Sequence, residues 1–194
     1  QDLSVTLKYK LPTTKASDAF SAFLVGSASL PMSDYTPDFM PLSIGTGGGR
    51  ASGRLALSYQ SPSVWFVNAS GAYTWCSNVK LDRSAYYTNG HLYLTNEVDM
   101  PNVLDYSVNG GFARGNWRIP VSLVQQRTLG GGDIRRQDMP FISNRMDFTR
   151  LEGNVMYALP ANLMLRTGVG RVLAGRNVGQ STTFLSELSY AFQF

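Results

Sequence analysis

Covalent chemistry has few candidates in this chain, which holds one histidine and one cysteine among its 194 residues. His91 has Asn89 two residues before it and Tyr93 two residues after it, so neither the Asp-x-His nor the His-x-Ser pairing of a hydrolase is present. Without a partner to activate or orient a nucleophile, the imidazole reads as a surface side chain. Cys76 cannot form an internal disulfide and fits a small packing residue better than a nucleophile. Asp133 with Asp138, and Asp34 with Asp38, could share a divalent ion, but such pairs are common on solvated loops. The glycine runs at 45–50 and 130–133 lack the spacing and the Lys-Ser/Thr ending of a phosphate-binding loop and read as flexible surface loops. The triplet Asn68-Ala69-Ser70 matches a glycosylation site but falls inside a strand pattern. The chain is therefore not expected to be an enzyme, and no metal or cofactor is expected.

What remains is chemistry by charge. Lys8, Lys10, Arg54, Asp105, Arg118, Arg150, Glu152, Arg166 and Glu187 share one parity of alternating segments whose other parity is apolar. If the apolar parity meets lipid, these residues line a lumen, because Arg or Lys facing lipid at the bilayer midplane costs about 2–4 kcal/mol. Two readings stay open: a mildly cationic pore favouring anionic or polar solutes, or side chains that pair across the interior and plug it. Arg166 with Glu152 or Glu187 is a candidate pair. On the opposite parity stand Tyr59, Trp65, Tyr73, Trp75, Trp117, Tyr157 and Tyr190. Many lie near segment ends, where an aromatic girdle at the membrane interfaces would place them.

The elements that position these side chains are strands. Alternation of period two runs through Leu3–Leu11, Phe20–Leu30, Leu55–Tyr59, Trp65–Trp75, Leu104–Phe112, Trp117–Leu123, Leu151–Leu159, Leu163–Val169 and the final segment from Phe184. That predicts about nine strands, several near the 9–11 residues a tilted strand needs to cross a bilayer. Only 15% of residues are charged, against about a quarter in soluble domains, and no apolar run reaches 18 residues, so a spanning helix is excluded. The connections alternate too. Short links such as "SPS", "RGN" and "PAN" follow odd-numbered strands, and long links at about 33–50, 77–101 and 129–146 follow even ones. Short turns at one rim and long loops at the other suit an outer-membrane barrel, the short ones being periplasmic. Asn89-Gly90 between apolar runs predicts a β-ribbon within the link 77–101.

The expected fold is all-β, an up-and-down antiparallel transmembrane β-barrel forming one domain over residues 1–194. Closed single-chain barrels usually have an even number of strands, so the odd count suggests that N-terminal strands are missing. The segment "DLSVTLKYKL" followed by Leu30-Pro31, Tyr35 and Gly45-Thr46-Gly47, with "VDMPNVLDYSVNGGFA" later, resembles the outer-membrane barrel family of meta-pathway phenol-degradation transporters. That resemblance implies about 12 strands in the intact protein, and passage of small, often hydrophobic molecules; it supplies no catalytic or ligand-binding residues. A terminal aromatic, Phe194, on the apolar parity resembles the signal read by the barrel-assembly machinery. The expected function is a channel or transporter for small-molecule solutes in the outer membrane of a Gram-negative bacterium, in contact with outer-membrane lipid. The alternative is a structural barrel whose loops hold a partner protein in an envelope complex. Lys and Arg are scattered, so no nucleic-acid partner is expected.

Overall fold

The computed structural model describes residues 2–12, 19–33, 47–138 and 143–192. Phe194, Tyr35, Gly45, Thr46 and the Asp34–Asp38 pair lie outside them. The chain forms β1 (Asp2–Lys10), β2 (Phe20–Pro31), β3 (Arg50–Gln60), β4 (Trp65–Cys76), β5 (Val79–Lys80), β6 (Tyr86–Thr88), β7 (His91–Tyr93), β8 (Glu97–Val98), β9 (Asn102–Arg114), β10 (Trp117–Leu129), β11 (Asp147–Leu159), β12 (Leu163–Arg176) and β13 (Thr182–Tyr190). Among the described residues nine long strands make one sheet in the order β1-β2-β3-β4-β9-β10-β11-β12-β13, every neighbour antiparallel. This is the up-and-down all-β architecture that the alternation predicts. Among the described residues β1 and β13 do not pair with each other, so the sheet is an open wall here.

Burial distinguishes the two faces in the opposite sense to a soluble sheet. On β10, Ser122 and Thr128 are 9% and 7% exposed, while Val121 and Leu123, on either side of Ser122, are 51% and 46% exposed. The same holds on β4, where Trp65, Val67 and Trp75 are exposed. The polar face is thus the enclosed one. A soluble sandwich or barrel would bury its apolar parity, and an apolar face of nine strands far exceeds the patches that monomeric soluble proteins expose.

The turns follow from local backbone needs. Gly115, with φ of 57°, opens the two-residue turn between β9 and β10; left-handed φ costs glycine nothing. Asn89 (φ 52°) and Gly90 (φ 80°) join β6 to β7, the conformation of a type I′ hairpin, as the Asn-Gly pair predicts.

Pro120 departs from simple alternation. It sits inside a central strand, where its missing N–H cannot serve the ladder. Pairing of β10 with β11 accordingly lapses between Arg118↔Met156 and Val121↔Gly153. On the other side, a side chain at Gly111 would run into the Ile119 carbonyl and Pro120. Gly111→Ala is expected to destabilise the fold by about 1–3 kcal/mol through this backbone collision. Denaturant titrations measure this loss; a Gly111→Ala protein as stable as wild type would refute the close approach.

Candidate functional site

All nine charged candidates fall on the enclosed face by register. Lys8 and Lys10 lie opposite Val25 and Phe23, Arg54 lies between Val25 and Ala72, and Asp105 lies between Ala72 and Gln126. Arg118, Arg150 and Glu152 extend the same face across β10 and β11, and Arg166 faces Glu187 across β12 and β13. Five strand residues with charge lie instead on the apolar parity: Arg114 at the short-turn end, and Arg127, Asp147, Arg171 and Arg176 toward the long-loop end. Of the seven aromatic candidates, all on the apolar face, Tyr59, Trp65, Trp117, Tyr157 and Tyr190 cluster at the short-turn end, and Tyr73 with Trp75 lies toward the other. Trp117 packs on Tyr157 with ring centroids 4.5 Å apart.

The charges pair along the wall. Arg150 Nη2 lies 2.6 Å from Glu152 Oε1 on the same strand, and Arg166 Nη1 lies 3.7 Å from Glu187 Oε2 on the next. Arg166 Nε also donates to Asn154 Oδ1 at 3.1 Å. Of the two acidic partners considered for Arg166, it is Glu187 that it meets; Glu152 is taken by Arg150. Pairs this accessible contribute about 0–1 kcal/mol to stability, so they matter more for the local potential. Arg54 donates to Ser70 at 3.2 Å, Arg118 stacks 3.8 Å over the Phe66 ring, and Lys8 lies 4.3 Å over Phe23.

Between these charges runs an uncharged ladder. Ser58 donates to Asn68 at 2.6 Å, Asn68 to Asn109 at 3.1 Å, and Asn109 to Ser122 at 2.7 Å, crossing β3, β4, β9 and β10 in one direction. Ser70 and Ser107 join at 2.8 Å in a second row. Aligned side-chain dipoles of this kind strengthen one another. Asn68, part of the glycosylation-like triplet, serves this ladder. Charge alone would not single out these residues, nor Phe66, buried at 2% exposure on the polar parity. The one sequence signal for Phe66 is that it interrupts the alternation between Trp65 and Val67.

Two cavities of about 300 Å³ open on this face. One lies at the long-loop end among Arg50, Thr74, Cys76, Asp105, Gln126 and Met146. The other lies over Gly168 and Gly170, between Arg150, Glu152, Asn154 and Arg166. Here the glycines open the space, because opposite Glu152 and Asn154 they add no side chain.

Above the long-loop end, the link 77–101 folds on itself. Beyond the predicted β6–β7 ribbon, β5 pairs with β8, and Val79, Leu81, Tyr86 and Val98 form a small core with Met100 packed against it. Tyr86 stacks on Tyr93 at 5.1 Å, and burial pushes the Tyr86 phenol up, helped by Tyr93 and Asp99. The link 130–146 is tied to this cap: Asn89 Oδ1 accepts the Asp133 N–H at 3.2 Å, and Ser143 Oγ donates to the Asp99 carbonyl at 2.8 Å. The glycines of 130–133 are therefore packed, not a loose loop: Gly130 and Gly131 have φ of 131° and 81°, and Gly132 abuts the Thr88 and Asn89 side chains.

Asp133 anchors this junction through Arg176, whose Nε and Nη2 donate to its two oxygens at 2.7 and 2.8 Å. The Arg176 hydrogen bonds hold the Asp133 carboxyl down at about 2, against 3.8 ordinarily, with Asn177 and Arg135 adding to the effect. A depressed carboxyl pKa stabilises the folded state above its unfolded value and stops doing so as pH falls through the folded one. Protease protection of the link 130–146 should thus hold steady above pH 4 and fall between about pH 4 and pH 2. Asp133→Asn should remove that step, as followed by acid proteolysis.

The family model described as "Putative MetA-pathway of phenol degradation" matches residues 1–187. The chain belongs to this family. The match spans all nine strands of the large sheet except the end of β13, and it agrees with the resemblance carried by the "DLSVTLKYKL" strand. A search of curated proteins finds no match. The family description connects the chain to phenol degradation and assigns no role to any of the side chains above.

Proposed function

We propose that this protein is an outer-membrane channel or transporter that passes small molecules across the outer membrane of a Gram-negative bacterium. The observation that carries this reading is the inverted burial of the sheet: enclosed polar parity, exposed apolar parity, over strands of 9–14 residues. Lipid is the solvent that suits the exposed face. A closed wall around water suits the other. Closure belongs to the proposal, since a lipid-exposed sheet edge would leave backbone groups unsatisfied.

In this reading selection is physical, with no covalent step. A solute enters past the folded cap of 77–101, meets a face lined by hydroxyls, amides and mostly basic side chains, and passes by exchanging hydrogen bonds with that lining. The Ser-Asn ladder supplies neutral donors and acceptors, and Arg54 and Arg118, which pair with no carboxylate among the described residues, supply positive charge. The test is conductance of the purified full-length protein in a planar bilayer with reversal potentials in a salt gradient. Stable anion-preferring openings are expected. A folded protein that stays silent and binds a stoichiometric envelope protein through its loops would replace this reading with the scaffold alternative.

A further inference from the structure

The apolar face of the sheet differs between its two rims. Aromatic rings gather at the short-turn end, whereas charge gathers at the other: Arg127, Asp147, Arg171 and Arg176 stand toward the long-loop end, and Arg114 is the one charged side chain of this parity at the short-turn end among the described strand residues. An arginine on a lipid-facing wall gains nothing at either rim unless an anion meets it. At the long-loop end β10, β11 and β12 enclose an open recess of about 390 Å³. Gln125, Arg127, Asp147, Thr149, Ala174 and Arg176 line it from the apolar parity, and Arg145 joins them from the end of the link 130–146.

The carboxylates of this cluster are occupied within the protein. Asp147 Oδ1 accepts the Thr128 N–H at 2.8 Å and its Oδ2 accepts Arg145 Nε–H at 2.8 Å, while both oxygens of Asp133 accept the Arg176 fork. They orient the guanidiniums without cancelling them: Arg127, Arg135, Arg145 and Arg176 outnumber Asp133 and Asp147, an excess of two positive charges. Arg127 is exposed, and it stands beside Asp147 by register, since Gln126 pairs with Phe148. Converging guanidiniums suit a phosphate, whose several oxygens accept from more than one planar fork at once. We propose that this recess binds a phosphate group of the phosphorylated glycolipid in the outer leaflet of the membrane. The inference rests on the outer-membrane reading. Position decides the source of the phosphate: the recess opens on the face assigned to lipid, at the end where the long loops project, so a headgroup anchored in that leaflet meets it side-on, whereas a solute in the lumen lies across the sheet from it.

The test folds the full-length protein in mixed micelles of phosphatidylcholine and neutral detergent, titrates it with diphosphorylated lipid A, and follows the bound lipid by native mass spectrometry. The phosphorylated lipid should bind at least about tenfold more tightly than the same lipid stripped of its phosphates, since each arginine near the surface contributes about fivefold. On the same footing Arg127→Gln should weaken binding about fivefold and Arg127→Gln with Arg145→Gln about 25-fold. Arg127→Lys, which keeps the charge and loses the fork, should weaken it less than Arg127→Gln. Arg114→Gln, at the opposite rim, should leave binding unchanged. Equal affinity for the two lipids would overturn the site, as would losses in the recess variants no larger than in Arg114→Gln. Displacement of the lipid by an equal concentration of inorganic phosphate would also overturn it, because the recess would then serve a soluble anion. A chain that folds in no lipid at all would remove the membrane reading, and the site with it, whereas a folded chain blind to the phosphates removes the site alone. Should the double variant fail to fold, Arg127→Gln and the comparison of the two lipids decide.

Discussion

Leu123→Arg is expected to weaken folding into lipid bilayers by about 2–4 kcal/mol, a loss of roughly 30- to 1,000-fold in the folding equilibrium constant. Leu123 is the central residue of β10, on the apolar face between Val108 of β9 and Leu151 of β11. If that face meets hydrocarbon, a guanidinium there must be dragged toward the interface or carry water into the bilayer. If it meets water, the same substitution at a 46% exposed leucine removes little packing and should change stability by no more than about 0.5 kcal/mol. The two accounts therefore differ by several-fold in energy at one position. Depth provides the internal control. Leu129→Arg, on the same parity at the last residue of β10, should cost about 0–1 kcal/mol, as lipid-facing charges do near an interface. Gln126→Arg, on the polar parity directly across from Asp105, should be close to neutral. Urea titrations of the three variants in vesicles measure all of this. Equal costs at positions 123 and 129 would sink the membrane assignment of this face.

The long strands were legible in the sequence because nearly all carry four or more apolar residues in alternation, enough to fix parity; β3 showed only three, Leu55, Leu57 and Tyr59. Once the parity of Leu104-Tyr106-Val108 was set, the side on which Asp105 falls followed without any tertiary information. The cap was much less so. Its four strands are two or three residues long, too short for a period to show, and only the φ demands of Asn89-Gly90 marked one of its two ribbons. Val79 and Val98 pack together because the chain returns after 18 intervening residues, a contact no local pattern encodes. The close approach of the Ile119–Pro120 backbone to Gly111, on the other side of a turn, was not legible at all. The glycine run at 130–133 looked loose because glycine reports permitted conformations and not neighbours; Thr88 and Asn89, over 40 positions away, decide how it packs. For the charges, parity sorted candidates onto a face, whereas the choice of Arg166 for Glu187 over Glu152 depended on which acid Arg150 had already taken.

That choice determines which arginines set the potential of the polar face. Glu152 and Glu187 each have an arginine within 4 Å, so at a distance both pairs nearly cancel. Arg54 and Arg118 have Ser70 and the Phe66 ring as their partners and, among the described residues, pair with no carboxylate, so in the proposed channel their charges would face the solute path uncancelled. A unit charge about 8 Å from an ion in water is worth about 0.5 kcal/mol, and at about 0.01 M salt the Debye length of about 30 Å leaves most of it unscreened. That is roughly a factor of two in occupancy, favourable for an anion and unfavourable for a cation, so each arginine should shift the anion-to-cation permeability ratio roughly fourfold. Neutralising both, Arg54→Gln with Arg118→Gln, should lower the ratio by about tenfold or more in reversal-potential measurements at low salt. The paired site provides the opposite signs. Glu187→Gln exposes the Arg166 charge and should raise the ratio about fourfold, Arg166→Gln exposes Glu187 and should lower it by as much, and the double substitution should return it near wild type. A ratio unmoved by all of these substitutions, in a protein that still opens, would mean that the charged face does not line the path of the permeating ion.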